Sequence, residues 1–257
     1  DCLAALGGGV AGDLAGFAAG SYLRGIRHLQ LPTTLLAAVD SSVGGKTAIN
    51  LKAGKNLAGL FLQPAAVICD TDCLGSLPPG VFAGGVAEAI KTAILSGEAL
   101  FSLFEAGGIA GKLPDIIAKC VAFKGSVVEA DEFEAGLRRI LNLGHTVGHA
   151  IEKCSGYGIP HGHAVAAGTA IIARAAARFG CCRAASAARI ESTLLKNALP
   201  VMTSYSASEL TEAALGDKKR AGEDITLVIP HEIGNCILRK IPVTELQGVI
   251  AAGLEAR

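Results

Sequence analysis

The chain opens with short apolar runs separated by glycine-rich turns. Cys2 to Leu6, Arg27 to Leu31 and Ala65 to Cys69 read as strands, and helical periodicity from Asp13 to Arg24 lies between the first two. That alternation predicts parallel α/β units. Leu77-Pro78-Pro79-Gly80 ends the rhythm, and beyond it apolar residues recur three and four positions apart. Helices are predicted over Val81 to Leu95, Pro114 to Glu129, Arg138 to Cys154, His163 to Phe179, Ala185 to Asn197 and Ser208 to Leu215. Pro114 suits a first helical turn. Ile225 to Ile229 and Cys236 to Ile241 flank Pro230 to Asn235 as a hairpin, and a last helix starts from Val243. The expected architecture is an α/β part with a parallel sheet over residues 1–76, then a mainly helical part over 77–257 with a small C-terminal β-hairpin.

Composition narrows the classes of function. The 257 residues are 51% hydrophobic, enough for a sizeable core. Lys plus Arg equals Asp plus Glu at 23 each, so no overall field draws the chain to nucleic acid or an anionic membrane. An anionic ligand must therefore be held by a local cluster. Apolar stretches end well before the roughly 20 residues that span a bilayer, so no membrane segment is predicted. The first residues lack the basic head and apolar run of a signal peptide, and the cytoplasm is the expected location. Cys2, Cys69, Cys73, Cys120, Cys154, Cys181, Cys182 and Cys236 show no zinc-finger spacing and are expected to be reduced core residues. The chain starts at Asp1, in a strand and without an initiator Met, which predicts a truncated start.

Four segments carry candidate chemistry. Gly7, Gly9 and Gly12 form a G-x-G-x-x-G between a strand and a helix, a pattern whose backbone N–H groups and helix dipole suit a phosphate. The acidic residue that a dinucleotide fold places about 20 positions later is missing. Asp40-Ser41-Ser42-Val43-Gly44-Gly45-Lys46-Thr47 lacks the spacing of a nucleoside triphosphate loop, yet Lys46, Lys52 and Lys55 put three cations within ten residues. Arg138, Asn142, His145 and His149 share a helical face roughly 60° wide, with Ile140, Leu143, Val147 and Ile151 opposite. His145 and His149 could both grip one metal, or one could bind metal while the other moves protons. His161 and His163 follow, so four of the six histidines lie within 19 residues, whereas His28 and His231 look structural. Glu88 and Lys91 stand three apart in an apolar helix, where a buried carboxylate calls for a cation. Asp217-Lys218-Lys219 is by itself uninformative.

Together these segments resemble the 3-dehydroquinate synthases. The resemblance runs through GGGVAGDLAGF from Gly7, LPTTLLAAVDSSVGGKTAIN from Leu31, GKNLAGLF from Gly54 and AGGVAEAIK from Ala83. It continues through DEFEAGLRRILNLGHTVGHAIE from Asp131, HGHAVAAG from His161 and the DKK at Asp217. It covers essentially the whole chain but not the family's N-terminal portion. It implies an α/β NAD domain, a helical metal domain, zinc or cobalt, and a homodimer. Its metal ligands map onto Glu88, His145 and His161, and its catalytic histidine onto His149, beside Lys46, Asp40 and Asn142. NAD contacts are implied at Gly9, Val10, Ala11, Gly12, Asp13, Thr33, Thr34, Lys46 and Lys55, with Cys73, Leu74, Gly75 and Ser76 near the adenosine. Substrate contacts are implied at Asn56, Lys91, Lys124, Arg138, Lys218 and Lys219, and Arg24 corresponds to a residue that reaches a neighbouring subunit's phosphate site. The implied substrate is a phosphorylated seven-carbon keto acid, 3-deoxy-D-arabino-heptulosonate 7-phosphate. Related inosose or valiolone cyclases, polyol dehydrogenases and a fold retained without turnover are the competing expectations. The sequence departs from the family at Gly80 and Val81, and at His163, where a Glu is usual.

Overall fold

The structure is a computed structural model that describes residues 1–52, 54–216 and 223–255. Strand β1 (Cys2–Gly7) leads into helix α1 (Gly9–Ser21), then β2 (Arg27–Pro32), β3 (Lys46–Leu51), β4 (Gly54–Phe61) and β5 (Ala66–Val67). Helices α2 (Pro79–Ser96), α3 (Glu98–Glu105), α4 (Leu113–Ala130), α5 (His145–Cys154), α6 (His161–Arg178), α7 (Ala184–Lys196) and α8 (Ala207–Leu215) follow. Strands β6 (Asp224–Glu232) and β7 (Asn235–Pro242) and helix α9 (Leu246–Leu254) close the chain. An α/β beginning with a parallel sheet, a helical bulk and a terminal hairpin are the architecture expected from the pattern. Two compact units form: Asp1–Gly85 with Lys112–Arg138, and Val86–Gly111 with Arg139–Arg257.

In the first unit β1, β2 and β5 form a parallel sheet in that order, with Leu3 opposite His28 and Ala5 opposite Gln30. Helix α1 packs closely because Gly12 and Gly16 face the sheet side by side. A Cβ on Gly12 would lie 2.5 Å from Gln30 Oε1, and one on Gly16 would collide with Thr47. The helix starts at Gly9, four residues before the predicted Asp13, and a 3₁₀ turn at Tyr22–Arg24 follows it. Glycines have poor intrinsic helix propensity, and packing overrides that here. The lysine-rich segment, for which no element is predicted, forms the antiparallel hairpin β3–β4, in which Thr47 opposes Leu60. Alternation is hidden there by glycines, asparagines and lysines. The strand predicted over Ala65 to Cys69 shortens to Ala66–Val67.

In the second unit α6 is buried nearly all round, from Ala164 to Ala176. A helix with neighbours on every side must carry small residues, and α6 is rich in alanine. Its one buried cation, Arg174, is satisfied: Nε donates to Gly253 O at 2.7 Å, and the terminal nitrogens donate to Val201 O at 2.6 Å and Glu191 Oε1 at 3.1 Å. Helix α6 begins at His161, behind Pro160, rather than at His163. Helix α3, not predicted, buries Leu100, Phe101 and Phe104 in only eight residues. Pro230, assigned to the turn, sits in β6 opposite Cys236. Of the cysteines expected in the core only Cys120 and Cys182 are buried, and none of the eight is in a disulfide. Among the described residues no helix is long and apolar enough to cross a membrane.

One long helix from Arg138 to Cys154 does not form. A 3₁₀ turn at Leu137–Asn142 ends before Gly144, whose φ of +77° breaks the helix, and α5 starts at His145. Arg138 belongs to the first unit, while Asn142, His145 and His149 belong to the second. The four-residue stripe is therefore corrected to His145 and His149 alone. On the opposite face Leu143, Val147 and Ile151 are buried as expected.

His28 is 1% exposed and neither ring nitrogen has a hydrogen-bond partner. Burial holds its pKa below the usual 6.5. The folded form thus binds the proton less readily than the unfolded form, so stability is full above about pH 6.5 and falls as pH drops toward the lowered folded value. His28→Leu is expected to flatten the decline of the urea midpoint between about pH 7 and pH 5 relative to wild type. An unchanged pH profile in the variant would refute this.

Candidate metal centre and anion-binding residues

Three glycines bring α5 against α6. A Cβ on Gly148 would lie 3.1 Å from Val165 Cα, and one on Gly144 2.8 Å from Val165 O. A Cβ on Gly168 would strike Gly144 O and lie 2.8 Å from Gly148 N. The close contact sets the first residue of α6, His161, beside the first turns of α5. The rings of His145, His149 and His161 lie with centroids 5.2 to 5.7 Å apart.

The tautomers follow from the hydrogen bonds. His145 Nδ1 is 3.1 Å from Leu143 O, and His161 Nδ1 is 3.0 Å from Glu152 Oε2. In its neutral form, with Nδ1–H donated, each ring carries its lone pair on Nε2. Both Nε2 atoms face one oxygen, Glu88 Oε1, at 3.9 Å from His145 and 3.4 Å from His161. Two imidazole nitrogens and a carboxylate are a donor set that suits zinc or cobalt. The three histidines also have ligand atoms within 4.8 Å of one another, so His149 is the alternative third donor. The two candidates differ in setting: the Glu88 side chain is 1% exposed and that of His149 is 61% exposed. An exposed imidazole is placed to exchange protons with solvent.

Charges in this cluster are strongly coupled. Lys91 Nζ lies 2.6 Å from Glu88 Oε2, both buried, so the carboxylate in this apolar helix has the cation it calls for. Burial, then Lys91, pushes the His145 pKa down to about 4. At His161 burial opposes charge but is outweighed by hydrogen bonds to Glu152 and then Glu88, which push its pKa up to about 10. His163 has a buried Nδ1 with no hydrogen-bond partner.

The first unit gathers the other candidates. Gly8 caps α1 without a side-chain hydrogen bond, so the first-turn N–H groups meet no capping side chain. Side chains at Gly8 and Gly9 would come within 3.0 Å of Thr34 and Ser41, so the turn is shaped by their absence. Thr33 N donates to Gly7 O at 2.9 Å and Thr34 Oγ1 accepts from Ala37 N at 3.2 Å. Asp40, on the π-helical turn Ala37–Ser41, pairs with Lys124, whose Nζ also donates to Asp40 O at 2.6 Å. Burial raises the Asp13 pKa to about 6 against the pull of Lys124. Arg138 is 2% exposed, donates to Gly44 O at 2.6 Å and to Glu132 O, and lies 5.8 Å over the Phe61 ring. Lys46 pairs with Glu134.

Residues 85–220 match the 3-dehydroquinate synthase C-terminal family, and residues 1–83 match the 3-dehydroquinate synthase N-terminal family. The chain belongs to the 3-dehydroquinate synthase family. A crystal structure of 2-deoxy-scyllo-inosose synthase complexed with carbaglucose-6-phosphate, NAD+ and Co2+ is 30% identical, with a TM-score of 0.88 over 98% of this chain and 74% of that one. The 2-epi-5-epi-valiolone synthase from Streptomyces hygroscopicus subsp. jinggangensis 5008, with NAD+ and Zn2+ bound, is 26% identical, with a TM-score of 0.86 over 97% and 72%. The glycerol dehydrogenase from Schizosaccharomyces pombe, 16% identical with a TM-score of 0.65 over 98% and 69%, shares the fold alone.

Within this 3-dehydroquinate synthase family chain the remaining predicted residues are spread more widely. Gly9, Val10, Ala11, Gly12 and Asp13 form the start of α1 rather than a loop before it. Lys55 and Asn56 are exposed on β4, Asn142 is exposed, and Arg24 is exposed with φ of +67°. Cys73, Leu74, Gly75 and Ser76 lie on the 3₁₀ turn Thr71–Ser76, with Leu74 itself buried. Lys218 and Lys219 lie outside the described residues. Sequence reasoning missed Glu152 and Glu134. Glu152 was legible as the residue seven after His145, on the same helical face. Glu134 carried no periodic signal.

Gly168→Ala tests how far the histidines depend on the helix contact. Added bulk against Gly144 O is expected to cost about 1–3 kcal/mol of unfolding free energy. The same change should weaken zinc binding, measured by chelator competition. Full stability with unchanged zinc affinity would show that the contact is dispensable.

Proposed function

We propose that the chain is a 3-dehydroquinate synthase that converts 3-deoxy-D-arabino-heptulosonate 7-phosphate to 3-dehydroquinate and phosphate, with NAD and zinc or cobalt, in the shikimate route to aromatic amino acids. The observation that carries the reading is the pair of imidazole Nε2 atoms facing Glu88 Oε1, in a chain matched to this family over residues 1–83 and 85–220. Glu88, His145 and His161 would hold the metal, and Gly9, Val10, Ala11, Gly12, Asp13, Thr33 and Thr34 would receive NAD. The bare N-terminus of α1 suits the pyrophosphate. When bound, NAD supplies reversible hydride uptake and the metal supplies polarisation of substrate oxygens.

The residues of the chain have separate tasks. His149, exposed to solvent, relays a hydroxyl proton. Asp40 and Lys46 orient the substrate, with Lys55 and the turn Cys73 to Ser76 toward the cofactor. Lys91, Lys124, Arg138, Asn142 and Asn56, with Lys218 and Lys219, supply charge and hydrogen bonds to carboxylate and phosphate. Arg24 serves the neighbouring subunit of a homodimer. Because hydride uptake would be reversible, NAD would not be consumed.

The 30% identity to an inosose synthase supports one competing reading, a cyclase for a sugar phosphate without a carboxylate. Phosphate release and product analysis separate the two. With catalytic NAD and zinc, 3-deoxy-D-arabino-heptulosonate 7-phosphate is expected to give phosphate and 3-dehydroquinate in equal amounts without NADH accumulation. Turnover of glucose 6-phosphate alone, or stoichiometric NADH, would overturn the proposal. His145→Ala is expected to lose zinc, because only two of three protein ligands remain. His149→Ala should keep zinc and slow phosphate release by about 10²- to 10⁴-fold. A zinc-free His149→Ala protein, or a His145→Ala protein with full zinc, would overturn this division of roles.

A further inference from the structure

We propose that Glu152 is the positioning residue for His161, an inference that rests on the metal site assigned above. Glu152 stands on α5 seven residues after His145 and three after His149, so all three share one helical face. Its side chain is 7% exposed, a costly setting for a carboxylate unless a polar group is there to meet it. The group it meets is His161, with Nδ1 3.0 Å from Oε2, and His149 Nε2 is 4.0 Å from the same oxygen. Ser155 Oγ and Tyr157 N donate to the main-chain oxygen of Glu152 at 2.8 and 2.7 Å, which fixes the backbone carrying the carboxylate.

The consequence follows from the two nitrogens of the imidazole. A neutral ring has one N–H, and donation of that hydrogen from Nδ1 to Glu152 leaves the lone pair on Nε2, aimed at Glu88 Oε1 3.4 Å away. His145 reaches the same tautomer by a different holder, the Leu143 carbonyl at 3.1 Å. The two candidate ligands thus differ in what stands behind them: a neutral carbonyl for His145, a buried carboxylate for His161. A carboxylate makes the imidazole a stronger donor and fixes its ring plane, and loss of such a partner typically weakens metal affinity by about 10- to 100-fold.

Zinc titration of Glu152→Gln against wild type, by competition with a chromophoric chelator, tests this directly. The amide keeps the volume of the side chain, so folding is checked by circular dichroism and the expected result is a folded variant whose zinc Kd rises about 10- to 100-fold. Glu152→Asp should recover part of that loss. Unchanged affinity in folded Glu152→Gln would overturn the proposal. A second measurement needs no variant: nitrogen-15 histidine spectra of wild-type protein with zinc should show His161 protonated at Nδ1, and protonation at Nε2 would overturn the proposal equally. Wild-type protein that takes up no zinc would remove the metal site itself and this inference with it, whereas tight wild-type binding with no change in Glu152→Gln removes the inference alone.

Discussion

The contact between α5 and α6 leaves no room for a Cβ at Gly144 and Gly168 and little at Gly148. That constraint decides where the histidines are. His161 opens α6 and His145 opens α5, so the two first turns must lie side by side for their rings to stand 5.3 Å apart. Gly144 has a second task, since its left-handed backbone ends the preceding 3₁₀ turn and starts α5. The near-complete burial of α6 holds its side of the contact, and the Arg174 hydrogen bonds to Gly253 and Val201 tie it to the chain's last helix and the segment before α8.

Several cations among the described residues have an acceptor beside them within their own unit. Lys46 pairs with Glu134 and Lys124 with Asp40 in the first unit, and Lys91 with Glu88 in the second. Arg138 is clamped by the carbonyls of Gly44 and Glu132. A buried cation carries a desolvation cost that a partner must offset, and the pairs also fix side-chain direction.

The sequence pattern revealed the elements that depend on periodicity and concealed those that depend on glycine. Strands β1 and β2 and helices α2, α4 and α7 were legible from apolar spacing. The early start of α1 was not, because Gly9 and Gly12 disfavour a helix locally and are required by the packing against Gln30. Glycine also breaks the helix predicted over Arg138 to Cys154, at Gly144, whose backbone is left-handed. The hairpin β3–β4 was hidden by lysines and asparagines that are exposed on it. Within the candidate site, His145 and His149 could be seen to share a face, but only the structure shows which ring nitrogens are already committed to Leu143 and Glu152.

In the proposed metal site Glu88, rather than His149, completes the set with His145 and His161. X-ray absorption at the zinc edge, on zinc-loaded wild type and His149→Ala, counts imidazole ligands directly. Two imidazoles and a carboxylate oxygen are expected in both proteins. Three imidazoles in wild type, falling to two in His149→Ala, would contradict it.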